Sequence, residues 1–323
     1  MTETPNRTFS REEIDTLRAH MEAYRNETTP PRTWKRLAQD TGANEKSIAA
    51  WVPGTYDNGE YWKNQVIPDL VERFLRSRQE RAQLTARVPA IPGFHATTTS
   101  GRMMSVCSVA IAFGGMGMIS TAPGCGKTWA AKEFQKTRSN VFMTTLSKGC
   151  GAPNDILTGL LESMGEVGQK GVIGHLKKRV IERMSGINGG LLVDEAQFGT
   201  ASGLEELRAI HDATGCGVVL IGDERLPGVL KGHPQLHSRL VVSHAGQKLP
   251  EADDVDTLAA AWSINNPALV DYLRTTAAKL SVGGLRRITH GIRLAVMGAT
   301  AEGRELTVQD LKDGLAQRFM EGA

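Results

Sequence analysis

The sequence predicts an α/β protein with a five-stranded parallel sheet, an all-α domain before the sheet and a small helical lid after it. Three observations predict this fold class. Short apolar runs alternate with amphipathic stretches between residues 101 and 250, which is the pattern of βα units in a parallel sheet. Residues 9–81 are helical in pattern and rich in charge, and the strand signal disappears again beyond residue 250. Residues 83–100 are rich in proline, glycine and threonine, which predicts a linker.

The predicted strands are short apolar runs bounded by glycine, polar or charged residues. They are Gly117–Ser120, Val141–Thr145, Gly190–Val193, Val218–Ile221 and Leu240–Ser243. Apolar spacing of three and four residues predicts crossover helices over Asn154–Met164, Val172–Met184 and Gly203–Thr214. The lid is predicted as helices over Val255–Trp262, Pro267–Leu280, Gly284–Met297 and Thr307–Phe319.

Composition limits the class of protein. A chain of 323 residues exceeds the roughly 100–200 residues of one domain, so we expect two or three folded units. Apolar residues make up 40% and charged residues 23%, as in ordinary globular proteins. A net charge of +3 means that any surface for a polyanion must be a local patch. No long apolar run or signal core occurs, so we expect no membrane segment and a cytoplasmic location.

The cysteines are far apart, with no CxxC pair and no histidine at metal-ligand spacing. We expect reduced, mostly buried thiols and no metal site built on cysteine and histidine. The four residues are Cys107, Cys125, Cys150 and Cys216.

A glycine-rich motif, Thr121-Ala-Pro-Gly-Cys-Gly-Lys-Thr128, lies between a predicted strand and a predicted helix. Its glycines let successive backbone N–H groups face phosphate oxygens, and the new helix directs its positive end at the same place. Lys127 is predicted to reach the outer phosphates of ATP and Thr128 to bind Mg²⁺. The usual motif begins with glycine where this chain has Thr121, which predicts a strained turn. The predicted nucleotide contacts are Pro123, Gly124, Cys125, Gly126, Lys127, Thr128 and Trp129.

A second motif, Leu191-Leu-Val-Asp-Glu-Ala-Gln197, is an apolar strand that ends in adjacent carboxylates. Asp194 is predicted to hold the Mg²⁺ water shell, and Glu195 to orient or deprotonate the attacking water. The alternative is a solvated acidic loop. Because the phosphate motif lies on the same kind of sheet, the catalytic interpretation is favoured.

Three further charged residues are predicted to act at the nucleotide. Asp223 follows a predicted strand where a polar sensor would contact the γ-phosphate, and an acidic group there is repulsive unless it is paired. Arg239 precedes the last strand and is the candidate arginine finger for a neighbouring subunit, with Arg225 and Lys231 as rivals. Arg286, at the start of a lid helix, is predicted to project toward the γ-phosphate.

The N-terminal domain contains two predicted helices, Arg32–Asp40 and Glu45–Trp51, joined by a tight turn and with Asn44 as the cap of the second. This pattern predicts a helix-turn-helix whose second helix enters the major groove of DNA. The alternative is a small helical bundle for protein contacts. The predicted DNA contacts are Lys35, Arg36, Lys46 and Ser47, with Arg73, Arg76 and Arg78 as further phosphate ligands.

The order of these features resembles the phage Mu transposition protein B family of AAA+ ATPases over nearly the whole chain. The shared features are the N-terminal domain, the linker, STAPGCGKT, LLVDEAQ, SRL and GGLRR. More distantly, the ATPase part resembles TnsC-type transposon ATPases. The departures from the family pattern are Thr121 and Asp223, which concern hydrolysis more than binding.

The resemblance implies a P-loop AAA+ ATPase that binds double-stranded DNA with little sequence preference when it holds ATP and Mg²⁺. It also implies self-assembly into helical filaments, delivery of target DNA to a transposase and stimulation of strand transfer. Slow hydrolysis would be stimulated by DNA and transposase. Within that picture the domains are 1–82 for DNA binding, 83–100 as linker and nucleotide-flanking segment, 101–250 as AAA+ core and 251–323 as lid.

Four lysines after the second strand are expected to face DNA, although a solvated helix face is the alternative for each. They are Lys148, Lys170, Lys177 and Lys178. Two other functions stay open at this point. One is a replication-type AAA+ loader or initiator that acts on a helicase. The other is a transcription regulator in which the N-terminal domain reads an operator and the ATPase part senses a ligand.

Overall fold

The computed structural model describes residues 7–169, 171–279 and 283–316. Lys170, Leu280 and the end of the last predicted helix therefore lie outside the described residues. The chain forms two compact units, Met1–Pro89 and Ala90–Ala323. None of the helices in the described ranges is both long and apolar enough to cross a membrane.

The first unit is all-α. Its helices are α1 (Arg11–Asn26), α2 (Trp34–Thr41), α3 (Glu45–Trp51) and α4 (Val66–Arg87), with short 3-10 turns at Tyr56–Gly59 and Tyr61–Lys63. The Ser10 hydroxyl and the Glu13 carboxylate form a capping box at the start of α1. Each side chain accepts a hydrogen bond from the other residue's backbone N–H, which has no partner within the helix. The element order therefore agrees with the predicted all-α domain.

The turn between α2 and α3 follows the predicted chemistry. Gly42 ends α2 in the left-handed conformation with φ of 76°, and Asn44 accepts hydrogen bonds from the backbone N–H groups of Lys46 and Ser47. Trp51 is fully buried, whereas Trp34 and Trp62 are only partly buried. Trp51 therefore anchors the core of this unit.

The second unit contains a parallel sheet with strand order β2-β3-β4-β1-β5. The strands are β1 (Met116–Thr121), β2 (Val141–Thr145), β3 (Gly190–Asp194), β4 (Gly217–Gly222) and β5 (Leu240–Gln247). The three central strands are buried along their whole length because helices cover both faces. β5 is longer than predicted, since at the sheet edge its alternate residues stay half-exposed and polar residues are tolerated.

Helices on the two faces bury alternate side chains of each strand. Leu191 and Val193 of β3 pack into the core under α7 (Pro153–Ser163), α8 (Ile173–Met184) and α9 (Ala201–Thr214). Leu192 faces the opposite core, under α5 (Thr98–Ala112) and α6 (Lys127–Lys136). This alternation is the expected consequence of the two-residue period of a strand.

Two helical segments occupy the range that the sequence assigned to a linker, because α4 continues to Arg87 and α5 begins at Thr98. The threonine and serine cluster that suggested a turn is the cap of α5: Thr97 and Ser100 form a capping box. Met103, Val106 and Ala110 of α5 are buried against the sheet. The sequence analysis missed α5 as a helix.

After β4 the chain forms two short helices, α10 (Leu226–Lys231) and α11 (Pro234–His237), before β5. The lid then consists of α12 (Ala252–Ala261), α13 (Pro267–Lys279), α14 (Gly284–Ala301) and α15 (Val308–Ala316). A buried carboxylate, Asp254 of α12, joins the lid to the sheet layer. It accepts hydrogen bonds from the backbone N–H of Thr99 at 3.0 Å and from the Thr99 hydroxyl at 2.5 Å.

Candidate active site

A cleft of about 370 Å³ opens at the carboxyl ends of β1, β3 and β4, beneath the lid. Parallel α/β sheets bind ligands at this edge because the loops and helix N-termini converge there. The cleft is lined by residues 91–95, Thr97, Ser100, 123–129, Glu195, Asp223, Thr257, Leu258, Ala261, Leu285, Arg286, Thr289 and His290. The structure therefore brings most of the predicted nucleotide residues together.

The phosphate loop, residues 121–128, has a conformation suited to an anion. Gly124 and Gly126 have φ of 90° and 89°, which side chains other than glycine rarely adopt. Gly126 precedes α6 without a side-chain cap, so the first N–H groups of that helix are left for a ligand. Trp129 lines the cleft and is about half exposed.

Thr121 does not strain the loop, contrary to the prediction. It is the last residue of β1, pairs with Gln247 of β5, and is not among the described residues with positive φ. Glycine is needed only where φ is positive or the backbone is crowded. The extended backbone at this position accepts threonine.

Lys127 lies within the phosphate loop and is 9% exposed. Its Nζ donates hydrogen bonds to the backbone oxygens of Thr121 at 2.7 Å and Ala122 at 3.1 Å. Burial lowers the pKa of the Lys127 ammonium because desolvation disfavours its charged form. A phosphate close to Nζ would offset that cost.

Thr128 and Asp194, which the sequence predicts as metal ligands, contact each other; their role at a metal stays a prediction. The Thr128 hydroxyl donates to Oδ2 of Asp194 at 2.8 Å, and the carboxylate is 1% exposed. Burial raises the pKa of Asp194, although the hydrogen bond from Thr128 works in the opposite direction. A hydroxyl beside a buried carboxylate is the oxygen donor set that Mg²⁺ prefers, so these residues fit the ion.

Glu195 lines the cleft directly after β3. Its backbone is left-handed, with φ of 55° and ψ of 35°, a conformation that costs a non-glycine residue about 1–3 kcal/mol. One carboxylate oxygen accepts a hydrogen bond from Nε2 of Gln197 at 2.5 Å. This hydrogen bond therefore holds the Glu195 side chain at the cleft.

Asp223 also lines the cleft, and it is paired. Its carboxylate accepts hydrogen bonds from the Arg225 guanidinium at 2.6 to 3.1 Å and from the Arg225 backbone N–H at 2.9 Å. These hydrogen bonds hold the pKa of Asp223 below its usual range. An acidic group at this position was expected to be repulsive unless it is paired. Arg225, two residues away, supplies that partner.

The lid meets the phosphate loop at its glycines. A Cβ built on Gly124 would lie 2.1 Å from the backbone oxygen of Gly283, so the start of α14 packs directly on the loop. Arg286, in the first turn of α14, is exposed and lines the cleft. Arg286 therefore lies at the cleft, and its projection toward the γ-phosphate stays a prediction.

Arg239 lies elsewhere. It precedes β5 at the amino edge of the sheet, where its backbone oxygen accepts from Met116 at the start of β1. The length of β1 therefore separates it from its own phosphate loop, roughly 17 Å at 3.3 Å per residue. Its guanidinium forms a two-point ion pair with Asp212 of α9 at 2.6 and 2.7 Å. The rival Arg225 is paired with Asp223, and the rival Lys231 is exposed at the end of α10.

The predicted DNA contacts belong to both units. In the first, Lys35, Arg36 and Lys46 are exposed and Ser47 is half-buried. Several arginines there form ion pairs within the unit: Arg36 with Asp40, Arg73 with Asp69, Arg76 with Glu80 and Arg78 with Glu27. In the second, Lys148 and Lys178 are exposed, whereas Lys177 is half-buried and pairs with Glu206 at 3.0 Å.

Some cleft residues were missed by the sequence analysis. The lid side chains Thr257, Leu258, Thr289 and His290 line the cleft, and no motif marks them. Gln197 was quoted within the second motif but given no role. The sequence did carry a signal for Gln197, because a polar side chain two residues after a carboxylate can reach back to it.

Comparisons with known proteins agree with these motifs. Residues 114–230 match the model of the AAA domain family, and residues 238–317 match the family model described as Mu B transposition protein, C terminal. The ATP-dependent target DNA activator B of Escherichia phage Mu is 30% identical over 295 residues, which cover 90% of each chain. The Mu-like prophage FluMu DNA transposition protein B of Haemophilus influenzae is 26% identical over 263 residues, 79% of this chain and 88% of that one.

Solved structures share the fold. The ORC2 protein of Aeropyrum pernix superposes with a TM-score of 0.55 at 18% identity, covering 71% of this chain and 70% of that chain. The ORC1 protein of the same organism, solved in complex with DNA, gives 0.51 at 17% identity over 69% of this chain and 66% of that chain. These likenesses confirm the predicted α/β P-loop fold. The phage relative and the C-terminal family match confirm the predicted resemblance, and the chain belongs to the Mu B transposition protein family of AAA+ ATPases.

Proposed function

We propose that this ATPase uses ATP and Mg²⁺ to assemble on double-stranded DNA and to present that DNA as a target to a transposase. The observation that carries the proposal is the cleft in which the phosphate loop, the Thr128–Asp194 pair and Arg286 of the lid meet. Family membership supports the same function, since the phage Mu relative is described as an ATP-dependent target DNA activator.

Binding begins at the phosphate loop. The free N–H groups at the start of α6 and the Lys127 ammonium attract the phosphates, and Trp129 with residues 91–95 encloses the rest of the nucleotide. Thr128 and Asp194 would hold Mg²⁺, which would offset the negative charge of the phosphates. Arg286 then contacts the outer phosphate and couples the lid to the nucleotide state.

Hydrolysis needs a water and a base. Glu195 accepts the proton of the attacking water, and its hydrogen bond from Gln197 leaves the second carboxylate oxygen for that purpose. Asp223, neutralised by Arg225, lies at the same cleft as a polar sensor. Turnover is slow until a neighbouring subunit completes the site.

The position of Arg239 supports the participation of a neighbouring subunit in the nucleotide site. Because it lies at the opposite sheet edge from its own phosphate loop, it can complete a nucleotide site only in another subunit. Such a head-to-tail contact generates a helical array when the rotation does not close. ATP therefore joins subunits, and hydrolysis loosens the filament.

DNA is held by many weak phosphate contacts that add along the filament. The proposed contacts are Lys35, Arg36, Lys46 and Ser47 in a helix-turn-helix of the first unit, and Lys148, Lys170, Lys177 and Lys178 in the second unit. Contacts of this kind add affinity rather than sequence choice.

The decisive experiment images the protein on duplex DNA by electron microscopy with a slowly hydrolysed ATP analogue. Helical filaments are expected with the analogue and none with ADP. Lys127→Ala should form none, because removal of a charge-assisted phosphate contact costs about 1.5–3 kcal/mol, roughly 10–150-fold in ATP affinity. Lys132→Ala, an exposed lysine on the same helix, is the matched control.

A second assay separates the function from its alternatives. Retention of DNA by gel shift should require ATP, be similar on random and selected sequences, and last longer for Glu195→Gln. Binding to one operator sequence without ATP would instead show a transcription regulator. Capture of a replicative helicase rather than a transposase in a pull-down would show a loader.

A further inference from the structure

Gln197 connects the carboxyl ends of two neighbouring strands. It lies in the 3-10 turn Ala196–Phe198 after β3, and its side chain bonds in two directions. Nε2 donates to Oε2 of Glu195 at 2.5 Å, and Oε1 accepts from the backbone N–H of Asp223 at 3.2 Å. One amide therefore spans from the proposed base to the residue that follows β4.

The orientation of this amide is fixed by chemistry. The backbone N–H of Asp223 can only donate, so the amide oxygen of Gln197 must face it. The NH₂ group must then face Glu195, whose carboxylate oxygen accepts from it. No flipped amide satisfies both partners.

The residues around the Gln197 amide leave space for this orientation. A Cβ built on Gly222, the last residue of β4, would lie 2.4 Å from Oε1 of Gln197, so the amide occupies space that only glycine leaves. Glu195 meanwhile has a left-handed backbone, and a hydrogen bond to its side chain limits the rotamers available at that position.

We infer that Gln197 is a positioning residue for ATP hydrolysis, which holds the Glu195 carboxylate in the cleft and makes its orientation depend on the end of β4. The inference rests on the proposed role of Glu195 as the base. In this role Gln197 acts through Glu195 and does not contact the nucleotide. Its consequence is that a displacement at Asp223, which lines the same cleft, is passed to the base through a single side chain.

The test measures steady-state ATP hydrolysis of the full-length protein, with duplex DNA, for Gln197→Leu and Gln197→Glu. Leucine removes both hydrogen bonds at similar volume, and we expect kcat to fall about 10–100-fold, as for other residues that orient a reacting group. KM for ATP should change less than about threefold, because the lost interaction is not a binding contact.

A split between kcat and KM separates positioning from a structural role. Because Gln197→Leu removes the donor to Glu195 and no nucleotide contact, the lower kcat should come with a nearly unchanged KM for ATP. Gln197→Glu keeps the side-chain shape but replaces the donor with an acceptor, so its kcat should be at least as low. A loss of folding would instead lower nucleotide binding together with kcat.

Gln309→Leu is the matched control. Gln309 also donates to a carboxylate, Asp313 at 2.8 Å, but on the exposed face of α15, so its substitution should leave kcat and KM unchanged. Nucleotide affinity by calorimetry shows that each variant is folded. Wild-type kcat or faster turnover in folded Gln197→Leu, or a KM for ATP that rises as much as kcat falls, would overturn the inference.

Glu195→Gln separates this inference from the proposed function. If Glu195→Gln abolishes turnover while Gln197→Leu retains it, Glu195 is the base and Gln197 does not position it. If Glu195→Gln retains turnover, the base assignment itself fails, and the inference about Gln197 fails with it.

Discussion

Charged residues in the cleft are satisfied within the chain in different ways. Lys127 bonds to carbonyl oxygens of its own loop, and Asp223 pairs with Arg225. Among the described residues, Asp194 accepts hydrogen bonds from a hydroxyl and a backbone N–H, and no ion pair is formed, although the carboxylate is almost fully buried. An added cation would therefore offset the cost of burying this carboxylate, which is the proposed metal ligand.

Asp194→Asn should raise the stability of the nucleotide-free protein. Burial raises the pKa of Asp194, so the folded state binds the proton more tightly than the unfolded state does. The stability that this carboxyl contributes is therefore lost as pH rises from its pKa in the unfolded state through its higher pKa in the folded state. An uncharged amide avoids this loss. We expect a gain of about 1 kcal/mol, or roughly 2–4 °C in Tm at neutral pH, by differential scanning fluorimetry.

The same variant should lose the additional stabilisation that Mg²⁺ with ATP gives the wild type, because the ion loses its carboxylate. The Tm difference between variant and wild type should also shrink as pH falls toward the pKa of Asp194, where the wild-type group is neutral. A variant less stable than wild type at neutral pH would contradict this account of Asp194.

Asp223→Asn should leave ATP binding intact and raise turnover about threefold or less, since Arg225 already offsets most of the charge beside the phosphates. Because Arg225 holds the pKa of Asp223 below its usual range, the carboxylate is ionised throughout neutral pH, and the ratio of the two rates should not vary with pH there. Arg225→Ala should have the opposite effect. Equal or lower turnover in Asp223→Asn by a steady-state assay would refute the prediction.

At the scale of the elements, the join between lid and sheet depends on one buried carboxylate. Asp254 of α12 accepts from Thr99 at the start of α5 and from the backbone N–H of Glu251. The Thr99 hydroxyl in turn accepts from Gln247 at the end of β5. The three elements α12, α5 and β5 therefore meet through one polar cluster.

Asp254→Ala should destabilise the protein by about 2–3 kcal/mol, since it leaves buried donors on Thr99 and Glu251 without an acceptor. Urea unfolding followed by circular dichroism measures the change. Asp253→Ala, its exposed neighbour on the same helix, is the control and should cost less than about 0.5 kcal/mol. A loss for Asp254→Ala no larger than that of the control would contradict the proposed join.

At the scale of the whole molecule, the sheet separates the parts that one nucleotide site requires. The phosphate loop lies at the carboxyl edge, whereas Arg239 lies at the amino edge and is held by Asp212. The ion pair with Asp212 keeps the guanidinium ordered in the subunit itself. A complete site therefore requires two subunits in the proposed function.

Mixing two inactive variants tests this requirement. Arg239→Ala and Glu195→Gln should each bind ATP but hydrolyse it poorly, and an equal mixture on DNA should recover activity. In random assemblies roughly a quarter of the interfaces combine an intact base with an intact arginine, which sets the expected recovery. No recovery in a phosphate-release assay would exclude Arg239 as a residue that acts in a neighbouring subunit.

The sequence by itself determined the fold class and predicted most of the residues that line the phosphate-loop end of the cleft, because both depend on local patterns. The apolar runs of the sheet and the spacing from Thr121 to Thr128 are set by neighbouring residues, and the observed strands differ from the predicted ones mainly at their ends. Asn44 as a helix cap is equally local. Each depends on interactions within a few residues of the chain.

Only the tertiary structure decided which distant groups meet. It showed α5 as a helix of the core, the lid residues that line the cleft, the pairing of Arg239 with Asp212 and the bridge from Gln197 to Asp223. These contacts join positions far apart in sequence, and their partners are set by strand order and packing. Charge pairs and shared hydrogen bonds depend on those distances, which residue spacing along the chain does not contain.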